Sequence, residues 1–184
     1  MAQNRTRKIV VAGVLSAISI LLGLTRWGFL PWFSGTSLTI MHVPVIIGAI
    51  LEGPVVGAVI GLIFGLFSWI QSVAPNGTGD IIFSNIVIAV LPRLFIGPIA
   101  WLVYTSLKRW QVPAIIVSAI AGSATNTVLV LGMIGLWGYF PWVLIGTTTV
   151  VNGLPEIVIS AIITLLVVAV VRQIRIGKRQ GSQL

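Results

Sequence analysis

Residues 41–70 read MHVPVIIGAILEGPVVGAVIGLIFGLFSWI, and Glu52 is the only formal charge among them. A helix that crosses the hydrocarbon core of a bilayer needs roughly 20 mostly apolar residues. This stretch is longer than one such helix and is punctuated once, at Glu52-Gly53-Pro54, where glycine followed by proline marks a tight break. It therefore predicts two apolar helices back to back, over 38–51 and 54–70. Working outward, further apolar runs predict helices over 9–24, 81–107, 114–136 and 143–171. The expectation is an all-α integral membrane protein, with six transmembrane helices in a compact bundle forming a single domain over residues 1–184. Pro92 and Pro98 are expected to kink or divide the fourth helix, and Gly153 and Pro155 interrupt the sixth.

The composition agrees. Hydrophobic residues make up 57% of the chain and charged residues 8%, whereas soluble domains carry about 25% charged residues. So few charges cannot cover a water-facing surface. The start, MAQNRTRK before an apolar run, looks like a secretory leader, but no small-residue cleavage site closes the run, and it is read as an uncleaved first helix. The net charge of +8 does not point to nucleic acid, because the basic residues flank the apolar segments. Arg5, Arg7 and Lys8 precede the first helix, Lys108 and Arg109 follow the fourth, and Arg172, Arg175, Lys178 and Arg179 follow the sixth. With six helices these groups share one side, and the opposite loops hold only Arg26. The positive-inside rule then predicts both termini in the cytoplasm. Trp27 and Trp32 suit a membrane interface.

Several chemistries lack their residues. The chain has no cysteine, one histidine and three acids, so disulfides, thiolate sites and metal clusters are not expected. No G-x-x-x-x-G-K-[ST] loop, H-E-x-x-H pair or G-x-S-x-G elbow occurs. Neither an enzyme nor a resident cofactor is expected. Uphill transport would draw on a partner or an ion gradient.

Four features stand out inside the helices. Gly53, Gly57, Gly61 and Gly65 form a stripe that serves either close helix packing or a route for a partner or substrate. Ala12 with Ser16, and Gly13 with Ala17, give the first helix a small-residue face, suited to internal packing or to docking another subunit. Arg93 and Glu156 are ionisable groups within apolar helices, which are expensive there and mark function by default. Two arrangements are open: a mutual ion pair, or a shared cavity that grips a polar substrate. Asn85, Thr125, Asn126, Thr127 and Asn152 lie on the same helices and favour the cavity. His42 precedes Pro44, where it either hydrogen-bonds near a loop or reaches substrate.

Taken in order, AGVLSA, MHVPVIIGAILEGPVVGAVIGLIFGL, LPRLFIGP, SATNTVLVLG and NGLPEIV resemble the substrate-binding S components of energy-coupling factor transporters, the bacterial micronutrient importers. The resemblance covers nearly the whole chain. It implies capture of a vitamin or vitamin precursor from the extracellular side, with the pantothenate branch as first reading. It also implies a transmembrane coupling subunit, two cytoplasmic ATPases and a place in the bacterial plasma membrane. By this likeness Arg93, Asn126 and Glu156 build the pocket, with Asn85, Asn152, His42 and Trp137 as further candidates. Trp27 and Trp32 would close the loop over the ligand, and Ala12, Gly13, Ser16 and Ala17 would form the docking face. The alternative is a proton-coupled carrier of a small organic anion using Glu156.

Overall fold

The computed structural model describes residues 2–25, 27–31, 37–73 and 80–173. In chain order these form α1 (Ala2–Leu24), β1 (Phe29–Pro31), β2 (Ser37–Thr39), α2 (Val43–Glu52), α3 (Pro54–Gln71), a 3-10 turn (Asp80–Ser84), α4 (Ile86–Leu107), α5 (Gln111–Leu136) and α6 (Trp142–Val171). Five of the six described helices are long and apolar enough to cross a membrane, and α2 is the exception. Arg26, Trp32, Arg175, Lys178 and Arg179 lie outside the described residues.

The element bounds follow local chemistry. Proline in its first turn opens α2, and Gly53 ends it with φ +106, a conformation that favours glycine. Upstream, β1 and β2 pair antiparallel with Phe29 opposite Thr39. The helix expected over 38–51 therefore begins only at Val43, because its first residues belong to a hairpin. Asn85 caps α4 by accepting from the Val87 amide at 3.0 Å, as short polar residues do at helix starts. That cap moves the start of α4 from 81 to Ile86 and leaves the preceding residues as a 3-10 turn. Pro92 and Pro98 do not divide α4, which runs unbroken through both, and α6 likewise runs through Pro155. Pro113 sits in the first turn of α5, where its missing N–H costs nothing.

The core is organised around α2. Val43 to Ile50 are all buried, and α2 packs against each of the other five helices. Its ten residues rise about 15 Å, half of the roughly 30 Å of hydrocarbon. The α1–α2 connection must therefore reach down among the other helices to meet it. Irregular backbone is tolerated at membrane depth only where protein buries it or a cavity adjoins it. Met41 and His42 are fully buried there.

The basic residues collect at the other end of α2. Arg7 is paired with Glu52 at 2.8 Å. Arg172 donates to the Ile50 carbonyl at 2.7 Å and to the Tyr104 hydroxyl. A cation on the last carbonyls of a helix also suits its dipole.

The glycine stripe packs α3 against α4. A methyl added at Gly57 would stand 2.9 Å from Gly97 Cα, one at Gly65 would stand 2.8 Å from the Ala89 carbonyl, and one at Gly61 would overlap the Arg93 carbonyl. Small residues here let the two backbones touch. Gly132, by contrast, has open space where a methyl would go. Gly61→Ala should lower stability by about 1–3 kcal/mol through overpacking, whereas Gly132→Ala should be neutral or stabilising by up to about 1 kcal/mol. Thermal unfolding of the two purified variants in one detergent checks the contrast.

Candidate functional site

A cavity of about 230 Å³ opens between the hairpin, α3, α4, α5 and α6. Four of its lining residues, Thr39, Phe64, Phe83 and Arg93, also line an adjoining pocket of about 60 Å³. The helices supply its side chains in periodic steps. From α6 come Thr148, Asn152 and Glu156, four residues apart and hence on one face. From α5 come Asn126, Thr127, Val130 and Leu131, again one face.

Arg93 and Glu156 both line this cavity, and no ion pair joins them among the described residues. Of the two arrangements open from sequence, the structure has the shared cavity. Arg93 is 5% exposed. Its guanidinium lies 5.4 Å from the centroid of Phe64 and 4.7 Å from that of Phe83, a cation between two aromatic faces. Nη1 donates to the Ile88 carbonyl at 2.6 Å, and Nε has no partner among the described residues.

Glu156 is 7% exposed. Its Oε1 accepts the Thr39 amide at 2.6 Å, and its Oε2 accepts the Thr127 hydroxyl at 3.4 Å. The first bond pins β2 to α6 across the mouth of the bundle. Asn126 also faces the cavity, and its Oδ1 is buried without a partner among the described residues. Buried polar atoms are nearly always satisfied. Two orphans on one cavity wall, a donor on Arg93 and an acceptor on Asn126, fit a site made for a polar guest.

The remaining expected site residues lie elsewhere. Asn85 is the α4 cap and does not line the cavity. Trp137 is the half-exposed cap residue that follows α5, and exposed Trp27 is also away from the lining. Trp32 lies outside the described residues. His42 is fully buried at the α2 start, where Nε2 bonds Ser123 Oγ at 3.1 Å and Ser160 Oγ at 2.8 Å. Ser123 lies one turn from Asn126 and Thr127, and Ser160 one turn from Glu156, so His42 braces the helices that carry the site.

Thr148 was legible as a continuation of the four-residue spacing that joins Asn152, Glu156, Ser160 and Thr164. Thr39, Phe64 and Phe83 come from three other elements, and no local pattern connects them to α6.

On the outside of the bundle, α1 packs on α2 and α3. Gly13 and Ala17 are exposed, Ala12 is half-buried and Ser16 is buried. Space for a methyl at Gly13 is open. An apolar groove of about 630 Å³ runs beside this face, between α1 and α3, with Arg5 and Lys8 at one end.

Comparison with known proteins gives consistent results. The family described as "ECF transporter, substrate-specific component" matches residues 7–168. The chain is 28% identical to a protein named pantothenic acid transporter PanT from Lactococcus lactis subsp. cremoris, over 95% of this chain and 98% of that one. It is 32% identical to a pantothenate transporter PanT from Leuconostoc mesenteroides subsp. mesenteroides, over 59% of this chain and 56% of the other.

The brace and the cap can be separated from the cavity by stability alone. His42→Ala strands two buried hydroxyls and opens a void, so it should cost about 2–4 kcal/mol. Asn85→Ala removes one cap and should cost about 1 kcal/mol. Thermal unfolding of both variants without ligand should rank them in that order.

Proposed function

The chain belongs to the family of substrate-specific components of ECF transporters, and from that premise we propose that it captures pantothenate outside the cell for import. The family consists of transport subunits, and this member is a multi-pass protein of the bacterial plasma membrane that serves vitamin uptake. The choice of pantothenate is supported by the likeness to two pantothenate transporters and by the chemistry of the cavity.

The observation that carries the reading is a buried arginine that has no acidic partner among the described residues and shares one cavity with a set of acceptors. Pantothenate has one carboxylate, an amide and two hydroxyls joined by short apolar stretches. The Arg93 guanidinium suits the carboxylate through charge-assisted hydrogen bonds. The orphaned Asn126 Oδ1 can accept from the amide or a hydroxyl, and the Glu156 carboxylate from a hydroxyl. Phe64, Val130 and Leu131 give apolar walls. Thr148 and Asn152 add polar side chains to the same lining. His42 supports the site from outside it by bonding Ser123 on α5 and Ser160 on α6, and Asn85 and Trp137 stand apart from the lining.

With no nucleotide motif of its own, this chain would depend on a transmembrane coupling subunit and two cytoplasmic ATPases for energy. The docking face is the outer side of α1. Exposed Gly13 and Ala17 form its contact pair, with Ala12 at its edge and Ser16 turned inward. Both termini, and the basic end of the bundle with Arg7 and Arg172, face the cytoplasm by the positive-inside rule. The cavity then opens toward the exterior.

Calorimetry on the purified chain tests the reading. Pantothenate should bind, Arg93→Gln should weaken binding roughly 100-fold, and Glu156→Gln roughly tenfold. Unchanged binding in Arg93→Gln would overturn the assignment. Proton-driven accumulation by the isolated chain in sealed vesicles, lost in Glu156→Gln, would favour the proton-coupled carrier instead.

A further inference from the structure

We propose that Pro92 is a positioning residue for the anionic end of the substrate, because its missing N–H leaves the Ile88 carbonyl free to hold the Arg93 guanidinium in the cavity wall. The inference rests on the reading of Arg93 as the carboxylate's partner.

In an α-helix the amide of residue i donates to the carbonyl of residue i−4. Residue 92 is proline, which has no amide hydrogen. The carbonyl four residues back, that of Ile88, therefore lacks its helical donor. Ile88 is fully buried, so bulk water cannot replace it, and a buried unpaired carbonyl is costly. The helix nevertheless continues without interruption through this point.

The missing donor is supplied by the next residue. Arg93 Nη1 donates to the Ile88 carbonyl at 2.6 Å. Helical side chains lean toward the helix N-terminus, so a long side chain at 93 runs back over the turn that contains Ile88. With Nη1 held there, the guanidinium is set against Phe83 on the turn before α4 and Phe64 on α3. An arginine whose rotamer is already fixed loses less freedom when it meets a ligand. An alanine at 92 would restore the amide, return the Ile88 carbonyl to the helix and release the guanidinium. The consequence is unusual for a buried substitution, since helix stability and substrate affinity should move in opposite directions.

Pro98 is the internal control. It lies on the same helix, but the carbonyl it frees is that of Leu94, which is outside the cavity lining.

The test compares pantothenate with panthenol, in which a primary alcohol replaces the carboxylate, by calorimetry on the full chain and its variants. Thermal unfolding without ligand is measured alongside. For Pro92→Ala the thermal midpoint should stay level or rise, and pantothenate affinity should fall roughly tenfold. Panthenol affinity for Pro92→Ala, and pantothenate affinity for Pro98→Ala, should both change by less than about twofold. Arg93→Lys keeps the charge without the planar fork and should lose the preference for pantothenate over panthenol, even if Pro92→Ala were to misfold. Undiminished pantothenate affinity in Pro92→Ala, equal loss for both ligands, or an Arg93→Lys variant that keeps the preference would overturn the proposal. If Arg93→Gln itself binds pantothenate normally, the functional reading fails. If Arg93→Gln abolishes binding while Pro92→Ala does not weaken it, only the positioning role fails.

Discussion

A ten-residue helix buried at the centre of the bundle constrains everything around it. Between Pro44 and Gly53, α2 is too short to cross a bilayer, yet it touches every other helix. The chain that feeds it must therefore descend among those helices. This descent brings the Thr39 amide to Glu156 and His42 to Ser123 and Ser160. A longer second helix would have closed this volume with apolar side chains. The short one leaves a polar junction between α5, α6 and the hairpin, and the cavity lies against it.

The second constraint is the buried charge on Arg93, which has no ion-pair partner among the described residues. Burying an ion is expensive unless other groups replace its hydration. Two aromatic faces and one main-chain carbonyl do so in part. The glycine stripe of α3 contributes from the far side. By letting α3 and α4 touch, it brings Phe64 into reach of the guanidinium, and Gly61 itself lies against the Arg93 carbonyl. The contact that holds the two helices together therefore also sets where Arg93 stands in the cavity wall.

Polar groups in the interior form a graded column along α6. Thr148, Asn152 and Glu156 border the cavity, Ser160 bonds His42, and Thr164 is buried below. Their four-residue spacing places them on one face, away from the apolar residues Leu154, Val158, Ile162 and Leu166 that face outward. Such a helix presents lipid with one side and water-like chemistry with the other. The same division explains how 8% charged residues suffice.

Much of this was readable along the chain. Apolar runs near bilayer length indicated a membrane protein, Gly53-Pro54 separated α2 from α3, and Arg93, Asn126 and Glu156 stood out as polar groups in apolar surroundings. These are local properties, set by composition and by the 3.6-residue period. The reading went astray where a nonlocal partner decided the outcome. Residues 38–42 looked like the start of a helix until β1 claimed Ser37–Thr39. Asn85 looked like a pocket amide, but the α4 amides were nearer. Whether Arg93 and Glu156 would pair or stand apart could not be derived from their positions in sequence, because distance between side chains on α4 and α6 is fixed only when α2, α3 and α5 pack between and around them. Sequence by itself determined the solvent, the helices and the candidate polar residues. Tertiary packing alone decided that they surround a cavity, since a cavity is a property of several surfaces at once.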